Sequence, residues 1–261
     1  MAGLIARIRK LNKLEEISIA EPFAGGAGAS LSLLMAGQTN EVFINDADPA
    51  IYAFWWSVIN RIDDLTNLIS EKRISMAEWQ RQRAIYRSKR PISKLRRGFA
   101  AFYLNRCNRS GIICNGGPIG GIDQQGPWKL GARYNKRELI KRCEKVANIA
   151  RQIRLSSEDG IEFIEQAERG STFLFIDPPY FRRGKTLYLN SLDAEYHVDL
   201  ADKLRRLRSA NWILTYDDCP EIRRMYRDWA RVRPFSLRYV ASQRRTRREI
   251  LITPRSMKLP T

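Results

Sequence analysis

Phe173-Leu174-Phe175-Ile176-Asp177-Pro178-Pro179-Tyr180 is the stretch whose reading decides the fold. Four apolar β-formers in a row suit a strand buried on both faces of a parallel sheet. The run stops at Asp177, and two prolines follow that can neither continue a ladder nor enter a helix interior. One carboxylate, rigid carbonyls and one aromatic ring therefore collect at a strand's carboxyl end, the edge at which open α/β sheets bind ligands. That set suits a planar amino group. The Asp177 side chain and the Pro178 carbonyl can each accept one amino hydrogen, which frees the nitrogen lone pair, and Tyr180 can hold a flat base by stacking. A plain strand-ending turn with an Asx hydrogen bond is the competing reading of Asp-Pro.

Upstream, a basic amphipathic helix over residues 4–16 leads to a strand at Ile17–Ala20. Glu21-Pro22-Phe23-Ala24-Gly25-Gly26-Ala27-Gly28-Ala29-Ser30 follows, then the helical Leu31–Ala36. Strand, glycine turn and helix form the context in which backbone approaches a ligand closely and a helix N-terminus meets polar groups. The Gly-Lys-Ser/Thr ending of a phosphate loop is absent. About 20 residues on, Glu41–Asp46 reads as a second strand ending in an acid, and an acid there suits ribose hydroxyls. Asp48 and Pro49 start a helix over Ala50–Ile59, with Phe54, Trp55 and Trp56 as core.

Asp-Pro-Pro-Tyr resembles the catalytic motif of the amino-methyltransferases, which methylate adenine N6 or cytosine N4 from S-adenosylmethionine. With Glu21–Gly26, then Ile44-Asn45-Asp46, then Asp177–Tyr180 in that order, the chain is similar to the Dam-type DNA adenine methyltransferases, the alpha group of the N6-adenine enzymes. The likeness runs from about residue 17 to the end. It implies a Rossmann-like, seven-stranded class I methyltransferase sheet with S-adenosylmethionine over the first strand's end. On this resemblance the cofactor residues are Glu21, Pro22, Phe23, Ala24, Gly25 and Gly26, with Asp46 at the ribose, Asp159 at the adenine amino group, and Asp177. Capping of the following helix is the competing role for Asp159. The catalytic residues carried over are Asp177, Pro178, Pro179 and Tyr180. Two departures stand out: Ala27 where many members have a second glycine, and no Gly-Gly-Lys segment at the start, so that Lys10 and Lys13 are the remaining candidates to meet the cofactor carboxylate.

Strand signals vanish between Arg61 and Val146. Arg81–Arg97 holds eight basic residues and no acid, which suits either a solvated face or a track for phosphates. The glycine-rich Phe102–Gly121 stretch is similar to the family's target-recognition insert, which makes Asn105, Arg106, Arg109 and Ser110 DNA-facing candidates. Lys185, in the basic loop Phe181–Lys185, joins them, and Arg244–Arg248 reads as a basic hairpin loop. The expected organisation is a catalytic domain over residues 1–60 and 147–261, interrupted by a mainly helical target-recognition insertion over 61–146.

Composition fits that organisation. With 46 basic and 28 acidic residues the net charge is +18, and a polyanion is the natural partner, here double-stranded DNA. No apolar run of about 18 residues exists, so no membrane span is expected; the N-terminus lacks a signal peptide's apolar core, which points to the cytoplasm. Four cysteines without a Cys-x-x-Cys pair, and the single His197, give no zinc site; His197 reads as helix-start packing or capping. The expected reaction is site-specific methylation of N6 on a flipped-out adenine in DNA. Cytosine-N4 or RNA adenine methylation, and a non-catalytic DNA-binding relic, stand as alternatives; a cognate restriction endonuclease is a partner the family allows.

Overall fold

The computed structural model describes residues 1–169, 172–181, 192–208, 211–235 and 249–260. Lys185 and the Arg244–Arg248 cluster lie outside the described residues. Seven strands form one sheet: β1 (Ile19–Glu21), β2 (Val42–Asn45), β3 (Ile153–Ser156), β4 (Phe173–Ile176), β5 (Trp212–Asp217), β6 (Ala230–Phe235) and β7 (Glu249–Pro254). Their order is β3-β2-β1-β4-β5-β7-β6. Pairing is parallel from β3 through β5, and β7 runs antiparallel between β5 and β6. All four residues of β4 are buried, as a parallel strand covered on both faces requires.

The chain builds outward from β1 to β2 and β3, then returns to place β4 on the other side of β1. This reversal is a topological switch point, where the carboxyl ends of neighbouring strands open a crevice. Ile19 is in register with both Val42 and Phe173, so Glu21, Asn45-Asp46 and Asp177 all emerge at the same edge.

Among the described residues the helices of the sheet unit are α1 (Ala2–Leu11), α2 (Gly28–Met35), α8 (Gly160–Arg169), α9 (Ala194–Arg206) and α10 (Pro220–Tyr226). α1 is shorter than the sequence suggests, because the chain turns to meet the buried Arg9. That guanidinium donates to the carbonyls of Leu14 (3.0 Å), Glu15 (2.8 Å), Gln38 (2.7 Å) and Ile17. Burial lowers its pKa, opposed by Glu15 and Glu16. Arg9 thus ties the end of α1 to the entry of β1. Lys10 and Lys13 are exposed at that entry, whereas Phe23–Gly26 follow the exit of the strand, so neither lysine stands beside the glycine turn.

Residues 47–151 form a second compact unit, and the rest of the described chain forms the first. Its helices are α3 (Pro49–Asn60), α4 (Ile62–Glu71), α5 (Met76–Arg87), α6 (Lys94–Cys107) and α7 (Lys136–Ala147). Compactness divides the chain after Asp46 rather than after residue 60, because α3 packs against α6. The two backbones meet at Gly98, where a Cβ would come within 2.4 Å of the Ala53 carbonyl oxygen. Phe54 stacks on Phe102 beside it, with centroids 5.7 Å apart. Among the described residues no helix is long and apolar enough to cross a membrane.

Candidate active site

The turn after β1 is built by Glu21. This carboxyl is 4% exposed, and its Oε1 accepts from the Ser30 backbone N–H at 2.7 Å. Ser30 is the third residue of α2, and the residue before that helix, Ala27, has no side-chain acceptor to cap it. Ala27 lies in the left-handed region, at φ 45° and ψ 31°, a conformation that disfavours any Cβ. Burial raises the Glu21 carboxyl to about 7; repulsion from Asp177 adds to the rise, and the Ser30 bond opposes it.

Asp46, at the exit of β2, accepts from the Gly25 N–H at 2.8 Å. Its neighbour Asn45 is fully buried and uses the whole of its amide. Nδ2 donates to the carbonyls of Pro22 (2.9 Å) and Glu158 (3.0 Å), and Oδ1 accepts from Ser156 Oγ and the Glu158 N–H, both at 2.8 Å. The turn after β1 and the turn after β3 are thereby fastened to one side chain.

Asp159 caps α8. Oδ1 accepts from the N–H groups of Ile161 (2.8 Å) and Glu162 (3.4 Å), and Oδ2 accepts from the Tyr196 hydroxyl at 2.9 Å. Burial, then the Asp159 carboxylate, raises the Tyr196 hydroxyl well above its usual range. The Phe23 ring lies on Gly160, where a Cβ would fall 2.3 Å from Cζ, and meets Tyr196 edge-on at 6.5 Å. Pro22 and Ala24 are buried in the turn itself, and the Ala24 N–H donates to the Asn45 carbonyl at 2.8 Å.

At the exit of β4, Asp177 opens to solvent while protein crowds it from the remaining directions, and that burial raises its carboxyl pKa. Hydrogen bonds from Thr215 and Tyr180 pull the other way. Thr215 Oγ1 donates to Asp177 Oδ1 at 2.6 Å. Pro178 is buried, Pro179 and Tyr180 half-buried, and the Tyr180 ring sits 6.4 Å from Tyr216. Behind it, Tyr216 Oη and His197 Nδ1 are 2.6 Å apart. Burial lowers the pKa of His197, opposed by Asp217 and Asp193, and raises that of Tyr216; the chain's one histidine is buried against the tyrosine. Thr215, Tyr196 and the bridging use of Asn45 went unread in the sequence. Thr215 has one signal there, as the lone aliphatic hydroxyl in an otherwise apolar run, whereas the Asp159–Tyr196 pair spans 37 residues and has none.

The DNA-facing candidates lie in the second unit, around a turn that Asn108 closes. Asn108 is buried; its side chain accepts from Trp79 Nε1 at 2.7 Å and donates to the Ile112 carbonyl at 2.6 Å. Arg109 and Ser110 project from this turn, both exposed, with Ser110 at φ 55°. Asn105 donates to the Gly111 carbonyl at 2.9 Å, and its Oδ1 accepts from Arg106 Nε at 3.0 Å. Burial lowers the pKa of Arg106, followed by the charges of Arg133 and Arg142. Among the described residues no group of His, Cys, Asp and Glu could hold a metal ion.

The sheet has seven strands, with a glycine turn after the first of them in the chain. The chain belongs to the D12 class N6 adenine-specific DNA methyltransferase family, whose model matches residues 4–246. Among solved structures it is similar to the rRNA methyltransferase aviRa of Streptomyces viridochromogenes, at 12% identity over 97% of this chain and 84% of that one, with a TM-score of 0.37. It is also similar to lmo1582 of Listeria monocytogenes, assigned to the class I S-adenosylmethionine-dependent methyltransferases, at 12% identity over 99% of this chain and 61% of that one, with a TM-score of 0.40. A comparison with curated proteins found no match. S-adenosylmethionine is the methyl donor of this family. The glycine turn has room for it: a Cβ added at Gly25, Gly26 or Gly28 would meet nothing within 4 Å.

Proposed function

We propose that this methyltransferase methylates N6 of adenine at specific sites in double-stranded DNA, on a base flipped out of the helix. The observation that carries the reading is the Asp177–Tyr180 group at the exit of β4, on the switch-point edge, with Asp177 held by Thr215 at 2.6 Å. Family membership supports the same substrate, as does a net charge of +18.

Asp177 Oδ2 and the Pro178 carbonyl would accept the two amino hydrogens, turning the nitrogen lone pair out of conjugation with the ring. The Thr215 bond to Oδ1 fixes the carboxylate plane, and with it the direction in which the group would meet substrate. Tyr180 would hold the base plane. Flipping costs a few kcal/mol and is repaid by these contacts. S-adenosylmethionine, when bound, supplies a methyl group made electrophilic by its sulfonium, so placement of the nitrogen in line is the main task left to the protein. Phe23, Ala24, Gly25 and Gly26, with Glu21 and Pro22 beneath them, would hold the methionine end. Asp46 would hold the ribose, and Asp159 the adenine end with its remaining acceptor capacity. In the second unit Asn105, Arg106, Arg109 and Ser110 would face DNA, and Lys185 would add a phosphate contact.

Transfer of labelled methyl from S-adenosylmethionine to unmethylated genomic DNA, with nucleoside analysis, tests the reading. N6-methyladenine is the expected product. Asp177→Ala should retain DNA binding and lose transfer; near-normal turnover would refute the assignment. N4-methylcytosine, or label in RNA alone, would redirect the substrate.

A further inference from the structure

The second unit carries a feature that none of these roles uses. Trp128 is 70% exposed and Ile122 60%, the two most exposed large apolar side chains among the described residues; the others reach 44–47%. Single apolar side chains on a surface need no explanation. Two on one short loop are different, because this loop is built to keep them out.

The Gln124 side chain is its centre. Nε2 donates to the carbonyls of Ile119 (2.8 Å) and Gly121 (2.6 Å), and Oε1 accepts from the Leu130 N–H at 2.8 Å. Gly126 closes back on the Gly120 carbonyl at 2.9 Å. Ile119 and Leu130 are buried at the two ends, so the loop has apolar anchors of its own and still presents Ile122 and Trp128 to water. The ordering entropy is therefore lost on folding and not on binding, which favours recognition by this surface.

The rim is basic. Arg109 Nη2 lies 3.7 Å from the Cβ position of Gly121. Lys129 donates to the Gln124 carbonyl at 2.7 Å, and Arg133 Nη1 to that of Asn108 at 3.4 Å. All three residues are exposed, and Asp123 is the single acid between Asn108 and Arg133. An apolar pair on a loop flanked by exposed basic residues matches a partner with an apolar layer between anionic edges, which is what a stacked base step between two phosphate strands offers.

We propose that Trp128 and Ile122 form an apolar wedge that engages a DNA base step, the indole stacking on a base while Arg109, Lys129 and Arg133 meet flanking phosphates. This rests on the DNA reading above and extends it to residues outside the predicted set. Stacking on an aromatic side chain tolerates any base, so the wedge adds affinity and leaves sequence readout to other residues.

The test pairs titration of a labelled duplex of mixed sequence with methyl transfer to unmethylated genomic DNA. Trp128→Ala should weaken duplex binding about tenfold or more, and Trp128→Phe should restore it to within about threefold. S-adenosylmethionine affinity and Tm should stay unchanged in both, since the side chain is at the surface. Equal binding by wild type and Trp128→Ala overturns the wedge alone, as does a Phe variant no better than Ala. A wild-type dimer that Trp128→Ala dissociates would assign the patch to self-association instead. Wild-type protein that neither binds duplex nor methylates DNA brings down the DNA reading and the wedge together.

Discussion

Replacing Glu21 with Gln isolates the energetic consequence of a buried carboxyl beneath the glycine turn. Below about pH 4.5 the group is protonated in both folded and unfolded chains, and its burial has no pH-dependent effect. Its usual value is 4.5 and the folded one about 7, so between those limits the unfolded chain ionises while the folded one does not. Stability present below 4.5 is lost progressively as pH rises to about 7 and stays lost above it. At 1.36 kcal/mol per unit the full loss is about 3 kcal/mol. Gln keeps an acceptor for the Ser30 N–H and does not titrate. Urea unfolding of both proteins, followed by circular dichroism, should show the stability gap in favour of Glu21→Gln growing by about 2.5 kcal/mol between about pH 5 and pH 8. A second handle is Asp177, whose charge contributes to the shift: in an Asp177→Asn background the growth should be smaller. A gap that stays constant to within about 0.5 kcal/mol across that range would refute the reasoning.

Thr215→Val removes the hydroxyl that fixes Asp177 Oδ1 at 2.6 Å; a hydrogen bond to a charged group is worth about 1.5–3 kcal/mol, so kcat should fall about tenfold or more while S-adenosylmethionine affinity is unchanged. Thr215→Ser should recover most of the rate, and an unaltered kcat in the Val variant would remove Thr215 from a positioning role. Gly98→Ala forces a methyl to within 2.4 Å of the Ala53 carbonyl oxygen and 2.6 Å of the Phe54 nitrogen. Backbone cannot step aside as a side chain can, so thermal unfolding should show a loss of about 2–3 kcal/mol; a wild-type Tm would mean that α3 and α6 are less closely joined.

The parts of the fold legible in the sequence are those with an uninterrupted apolar run. β4 and β5 lie inside the sheet and read as Phe-Leu-Phe-Ile and Trp-Ile-Leu-Thr-Tyr. The two strands that escape such a reading, β3 and β6, are the two edges of the sheet. An edge strand has one neighbour and a solvated flank, so Ile-Arg-Leu-Ser and Ala-Arg-Val-Arg-Pro-Phe carry arginines and a proline that protect the edge and erase the apolar signal. The site divides in the same way. Asp46 and Asp177 stand out because each follows the end of a strand, a position legible in the sequence alone. Thr215 acts on Asp177 from 38 residues away, through strand pairing that no local pattern records. Asp159 is legible as the cap of the helix after β3, yet its tie to Tyr196 depends on how α9 packs.

Asn45 fixes more than a pair of turns. Its amide joins the segment after β1 to the segment after β3 across as many as 113 residues of chain. The separation of those walls is therefore set through space, by one side chain and the parallel pairing of β2 with β3, and not by the length of polypeptide between them. The intervening 47–151 segment can therefore change in length without changing the spacing of those two turns. A change at Asn45 has no such freedom, since four partners answer to it at once.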